Sequence, residues 1–103
     1  MIEKDKRALV TAEQALKLAP GNPGVQDTLG WILVEQGKPQ KGLELLSKAV
    51  AKMPKAAAVR YHHAVALART GEKTQAKKEL EKLLAESPKF PKAEAAKALL
   101  GSL

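Results

Sequence analysis

The sequence predicts an all-α solenoid of helix-turn-helix units, and three observations carry that expectation. Pro20, Pro54 and Pro88 follow one another at a step of 34 residues. The same step relates Ala15 to Ala49, Leu33 to Leu67, Gly37 to Gly71 and Leu46 to Leu80. Between these marks apolar residues recur at the i, i+3, i+4 spacing of helices that turn one face inward. A helical unit repeated at such a period cannot bury its apolar face alone, so it stacks on its neighbours. With 45% hydrophobic but only 3% aromatic residues, burial rests on aliphatic helix packing, and β structure is disfavoured.

Each helix has local start and stop signals. From Lys4 to Leu18, the residues Ala8, Leu9, Ala12, Ala15, Leu16 and Ala19 keep helical spacing until Pro20-Gly21-Asn22-Pro23 ends the run. Asn22 can cap a second helix with Pro23 in its first turn. That helix carries Val25, Leu29, Ile32 and Leu33 inward to about Gln36, where Gly37 supplies a positive φ. Pro39 opens a third helix, which turns Leu43, Leu46, Ala49 and Val50 to the core and ends near Met53, before Pro54. The scheme then restarts. Ala57 to Thr70 forms one helix, with Val59, His63, Ala64 and Leu67 inward. Lys73 to Glu86 forms the next, with Ala76, Leu80, Leu83 and Leu84 inward. A last helix over Pro91 to Leu100 carries Ala93, Ala96, Leu99 and Leu100 on one side and Lys92, Glu94 and Lys97 on the other, as a solenoid cap requires.

The 103 residues therefore divide as one domain: 1–20, the second helix of a preceding repeat; 21–54, a repeat; 55–88, a repeat; and 89–103, the capping helix. The chain has no cysteine, hence no disulfide framework, thiolate nucleophile or thiolate metal site. No stretch reaches the roughly 18 apolar residues of a membrane span, and the N-terminus is charged where a signal peptide is apolar. That favours a cytoplasmic setting for the chain as it stands. The net charge of +7 is spread among Glu and Ala along helices, with no aromatic residues interleaved in a basic stripe, which disfavours nucleic acid as a partner.

Chemistry is equally disfavoured. The serines Ser47, Ser87 and Ser102 lie in no Gly-x-Ser-x-Gly turn, no glycine-rich loop cradles a phosphate, and the glutamates are spread beside lysines over helix surfaces. His62 and His63 are the only histidines, and adjacent residues on a helix point about 100° apart, so they do not chelate one metal. His63 reads as part of the core. No enzyme activity, cofactor, metal or small-molecule substrate is expected.

The residues resemble the tetratricopeptide repeat family over nearly the whole chain. Leu29-Gly30, Leu33, Gly37, Gly42, Leu46, Ala49 and Pro54 fill that family's positions in one repeat. His63-Ala64, Leu67, Gly71, Ala76, Leu80, Leu83 and Pro88 fill them in the other. Gln26 and Arg60 depart from it, standing where Trp is frequent, and His63 replaces the usual Leu. The resemblance implies a right-handed solenoid acting as a protein-interaction scaffold, with a peptide or partner protein held in a concave groove lined by first helices. The groove positions fall on Asp27, Trp31, Val34, Glu35, Tyr61, His62, Val65 and Arg69. Trp31 and Tyr61 are the expected anchors, since Trp, Tyr and Arg dominate binding hot spots. The Lys and Asn clamp that chaperone-binding members use for a C-terminal carboxylate is missing, because Asp27, Trp31, Tyr61 and Val65 occupy its places.

More narrowly, the runs from Asp27 to Gly37 and from Arg60 to Gly71 resemble the C-terminal repeats of bacterial repeat lipoproteins linked to exosortase (PEP-CTERM) and exopolysaccharide systems. This implies an architectural alternative: the end of a longer solenoid in the cell envelope, periplasmic rather than cytoplasmic. Its uncapped N-terminal helix would support homo-oligomers. A third expectation is an anionic polymer bound by Lys73, Lys77, Lys78, Lys82 and Lys89, with steep salt dependence.

Overall fold

A computed structural model describes the backbone of residues 2–103 and the side chains of residues 7–103; Met1, the start of the first expected segment, lies outside the described residues. Its elements are α1 (Ile2–Leu18), α2 (Pro23–Glu35), α3 (Pro39–Lys52), α4 (Ala57–Arg69), α5 (Lys73–Glu86) and α6 (Ala93–Ser102). All are helices, and the molecule measures 35 × 27 × 23 Å.

The helix ends follow from the residues at them. Asn22 Oδ1 accepts the Val25 N–H at 3.2 Å, which caps α2 behind Pro23. At the other end of α2, the Gly37 N–H donates to Val34 O at 3.2 Å and the Lys38 N–H to Leu33 O at 2.8 Å. The same pair of bonds closes α4, from Gly71 to Ala68 O at 3.2 Å and from Glu72 to Leu67 O at 2.9 Å. This closure needs a left-handed residue, and Gly37 (φ 82°) and Gly71 (φ 91°) are the positive-φ residues. The α3 and α5 helices stop instead against Pro54 and Pro88, which push Met53 and Ser87 out of helical geometry.

Three boundaries differ from the sequence expectation by two residues: α1 starts at Ile2 rather than Lys4, and α6 runs from Ala93 to Ser102 rather than from Pro91 to Leu100. The later start of α6 arises because Phe90, Pro91 and Lys92 form a turn in which Phe90 O accepts the Ala93 N–H at 2.9 Å.

Helices adjacent in the chain pack on one another, and α2 also touches α4. Ala12, Leu29 and Leu33 join α1 to α2; Val34, Leu46, Val65 and Ala66 join α2, α3 and α4; Ala64, Leu80 and Ala96 join α4, α5 and α6. Leu46, Leu80 and Leu83 are fully buried, so truncating any of them to Ala costs about 2–5 kcal/mol. The α2–α3 contact is the tightest kind: Gly30 and Gly42 face each other, and each lacks the Cβ that the other's backbone would exclude.

Candidate functional site

The step that aligns the repeats also lays the first helices α2 and α4 side by side. Trp31 and Asp27 lie one turn apart on α2, and Tyr61 and His62 project from the facing side of α4. The His62 Nδ1–H donates to Asp27 Oδ1 at 2.8 Å, with both side chains less than a fifth exposed. The imidazole lies flat on Trp31, with ring centroids 4.2 Å apart and planes 20° from parallel. Tyr61 stands 6.2 Å from Trp31 and 6.1 Å from Phe90, so the rings form a row from α2 across α4 to the turn before α6. Their spacing and tilt suit aromatic pairs, which add about 0.5–1.5 kcal/mol beyond area burial. The row is half-buried, with its inner edge on the core and its outer edge in solvent.

Asp27, Trp31, Tyr61 and His62 are therefore one cluster. Glu35 and Arg69 are exposed at the C-terminal ends of α2 and α4, where Arg69 Nη1 donates to Val34 O at 3.2 Å and ties the two helix ends together. Val34 and Val65 are corrections. Val34 has no exposed surface and Val65 is 5% exposed, because neighbouring first helices close over them onto Leu46 and Ala66. They pack in the core beneath the rings of Trp31 and Tyr61.

Phe90 was absent from the sequence reading of the groove; its signal was its place between Pro88 and Pro91, which fixes a turn beside Tyr61. A second feature is a cleft of about 500 Å³ between α1 and α2, lined almost wholly by apolar atoms of Ala8, Thr11, Ala15, Val25, Thr28 and Ile32, with Arg7 at its edge. The signal was the small-residue series Ala8, Thr11, Ala12, Ala15 along α1.

The opposite face carries a polar network. His63, 6% exposed, donates Nδ1–H to Glu79 Oε2 at 2.7 Å, and its Nε2 accepts from Ser47 Oγ at 3.3 Å. Beside it Arg60 pairs with Glu86 at 2.9 Å. Serine, histidine and carboxylate stand in relay order, but Ser47 is inside α3, where the amides are tied into the helix ladder and none is left to hold an oxyanion. The network satisfies a buried imidazole. At the vacant Trp position Gln26 is 3% exposed; its Nε2 donates to Pro20 O at 2.9 Å, while its Oε1 has no partner.

No helix among the described residues is long and apolar enough to cross a membrane. The search of curated proteins returned no match to the chain. A family model described as tetratricopeptide repeat matches residues 33–100, from the last turns of α2 through α3, α4 and α5 into α6. With paired helices at a 34-residue step, left-handed glycines at the turns and two-thirds of its length matched, the chain belongs to the tetratricopeptide repeat family.

Proposed function

We propose that the chain is a protein-interaction scaffold that captures a peptide or partner segment along the row Trp31, Tyr61 and Phe90. The family mediates protein–protein interaction in general, and one observation supports this particular surface: His62, stacked on Trp31 and bonded to Asp27, fixes the Trp31 ring before any ligand arrives. A pre-set aromatic surface loses little rotamer entropy on binding. An extended chain advances about 6.6–6.8 Å per two residues, close to the 6.2 and 6.1 Å between successive rings, so alternate side chains of one strand meet successive rings. Arg69 and Glu35 sit further along as charged flanks.

Selection of a random peptide display library on the wild-type chain tests this. The selected peptides should shift the fluorescence of Trp31, the single tryptophan, and should lose at least tenfold in affinity for Tyr61→Ala. Peptides that bind Tyr61→Ala as well as wild type would sink the reading.

A second reading is favoured by the α1–α2 cleft. Here 1–20 acts as the second helix of a preceding repeat, 21–54 and 55–88 are full repeats, and 89–103 is a capping helix, so that the α1 flank is where a further helix stacks. The envelope setting and export system of the narrower resemblance belong with this reading.

A further inference from the structure

We infer that Ser47 is an acylation site: a hydroxyl, activated by His63, that takes one acyl group from an activated ester and keeps it.

What sets Ser47 apart is the partner of its hydroxyl. A serine or threonine within a helix ordinarily bonds back to a carbonyl one turn earlier. Thr28 does so on Gly24 O at 2.9 Å, Thr70 on Ala66 O at 2.9 Å and Ser102 on Leu99 O at 2.7 Å. Ser47 reaches instead from α3 to Nε2 of His63 on α4, at 3.3 Å. Ser47 is exposed and His63 is buried, so the nucleophile is open to solvent with its base held behind it.

The third helix of the network fixes the tautomer. Glu79 on α5 accepts the His63 Nδ1–H at 2.7 Å, which leaves Nε2 as the proton acceptor. Glu79 is thus a positioning residue, and its carboxylate also balances the charge of the imidazolium that forms. A hydroxyl and base at 3.3 Å are within the looser reach usual before a substrate is bound.

The step is an acyl transfer. Ser47 Oγ bonds to the acyl carbon while the bond from that carbon to the leaving oxygen breaks. The hydroxyl proton passes to His63 Nε2 and from there to solvent. With no amide free to hold an oxyanion, the site forgoes about 10²–10³ in rate. It therefore needs a leaving group that departs as a stable anion, such as a phenolate. The product is an alkyl ester with a far poorer leaving group, so its hydrolysis by the same route is slower and the acyl group stays. A cleft of about 190 Å³ adjoins the network, lined by Glu79 itself, by Val50 one turn beyond Ser47, and by Pro54. Val50 and Pro54 offer apolar contact to a short acyl chain.

Treatment with p-nitrophenyl acetate, with acetylated positions mapped by peptide mass spectrometry, tests this. Ser102, exposed and bonded only within its own helix, is the reference inside each molecule. His63→Leu removes the base, and Glu79→Gln keeps an acceptor for Nδ1–H but removes the charge; melting followed by circular dichroism confirms that each is folded. The expected result is acetylation of Ser47 at least tenfold faster than of Ser102. In His63→Leu that advantage should vanish, and in Glu79→Gln it should shrink and be restored by Glu79→Asp, with the Ser102 rate constant throughout. Equal rates at Ser47 and Ser102 in the wild type, or an unchanged Ser47 rate in folded His63→Leu or Glu79→Gln, would overturn the inference.

Discussion

Gly42 sits so close to Gly30 that a methyl group built on it meets the Gly30 carbonyl oxygen at 2.5 Å and Val34 Cγ2 at 2.6 Å. Overpacking costs about 1–3 kcal/mol, and Ala gains up to about 1 kcal/mol of helix propensity over Gly. The obstacle is backbone rather than a flexible side chain, so the clash prevails. Gly42→Ala should lower the melting temperature, at about 4–8 °C per kcal/mol in a domain of this size. Gly101→Ala, with nothing within 4 Å, should not lower it. Thermal unfolding followed by circular dichroism distinguishes the two.

Gly37 and Gly71 isolate a different effect. Both have open space around them, so a substitution meets no neighbour, yet their φ values of 82° and 91° are unfavourable for any residue with a Cβ. Gly37→Ala and Gly71→Ala should each lose about 1–2 kcal/mol. Denaturant midpoints should fall at constant slope, as expected for a native state strained only at the turn.

The His63–Glu79 pair predicts an asymmetry between two substitutions. Glu79→Ala leaves the Nδ1–H of a nearly buried imidazole unpaired and should cost about 1–3 kcal/mol. His63→Leu removes the buried polar ring altogether, and Glu79 and Ser47 are open enough to turn to water. That variant should equal or exceed the wild type in urea stability.

Gln26→Leu should stabilise the chain by about 1 kcal/mol. The substitution gives up one hydrogen bond, to Pro20 O, with a net value near 1 kcal/mol. It also removes a buried acceptor with no partner, whose desolvation costs about 1–3 kcal/mol. A lower denaturant midpoint in Gln26→Leu would show that the bond to Pro20 O outweighs the orphaned oxygen.

Most of the helices were legible because their ends depend on single residues: Pro54 and Pro88 stop α3 and α5, and Gly37 and Gly71 close α2 and α4. Pro91 misled because proline in a first turn and proline in the loop before a helix look alike in sequence; the bond from Ala93 to Phe90 O decides between them. Repeat register put Trp31, Tyr61 and His62 on facing sides of adjacent first helices, where their rings meet, but it could not separate the buried Val34 and Val65 from them. Whether such a residue faces solvent depends on how closely adjacent first helices approach, which no single helix's periodicity records. The His62–Asp27 bond joins residues 35 apart and appears only once α4 lies beside α2.

The packing of each helix mainly on its chain neighbours has a kinetic and mechanical consequence. Low contact order of this kind brings rapid folding, since little loop-closure entropy is lost before contacts form. A stacked array is also approximately one-dimensional in its energetics. Amide protons of α2 to α5, which have packed helices on both sides, should exchange last, and those of the end helices α1 and α6 first. Pulled from its two ends, such a chain yields helix by helix from the outside inward, lengthening in small steps rather than in one abrupt rupture.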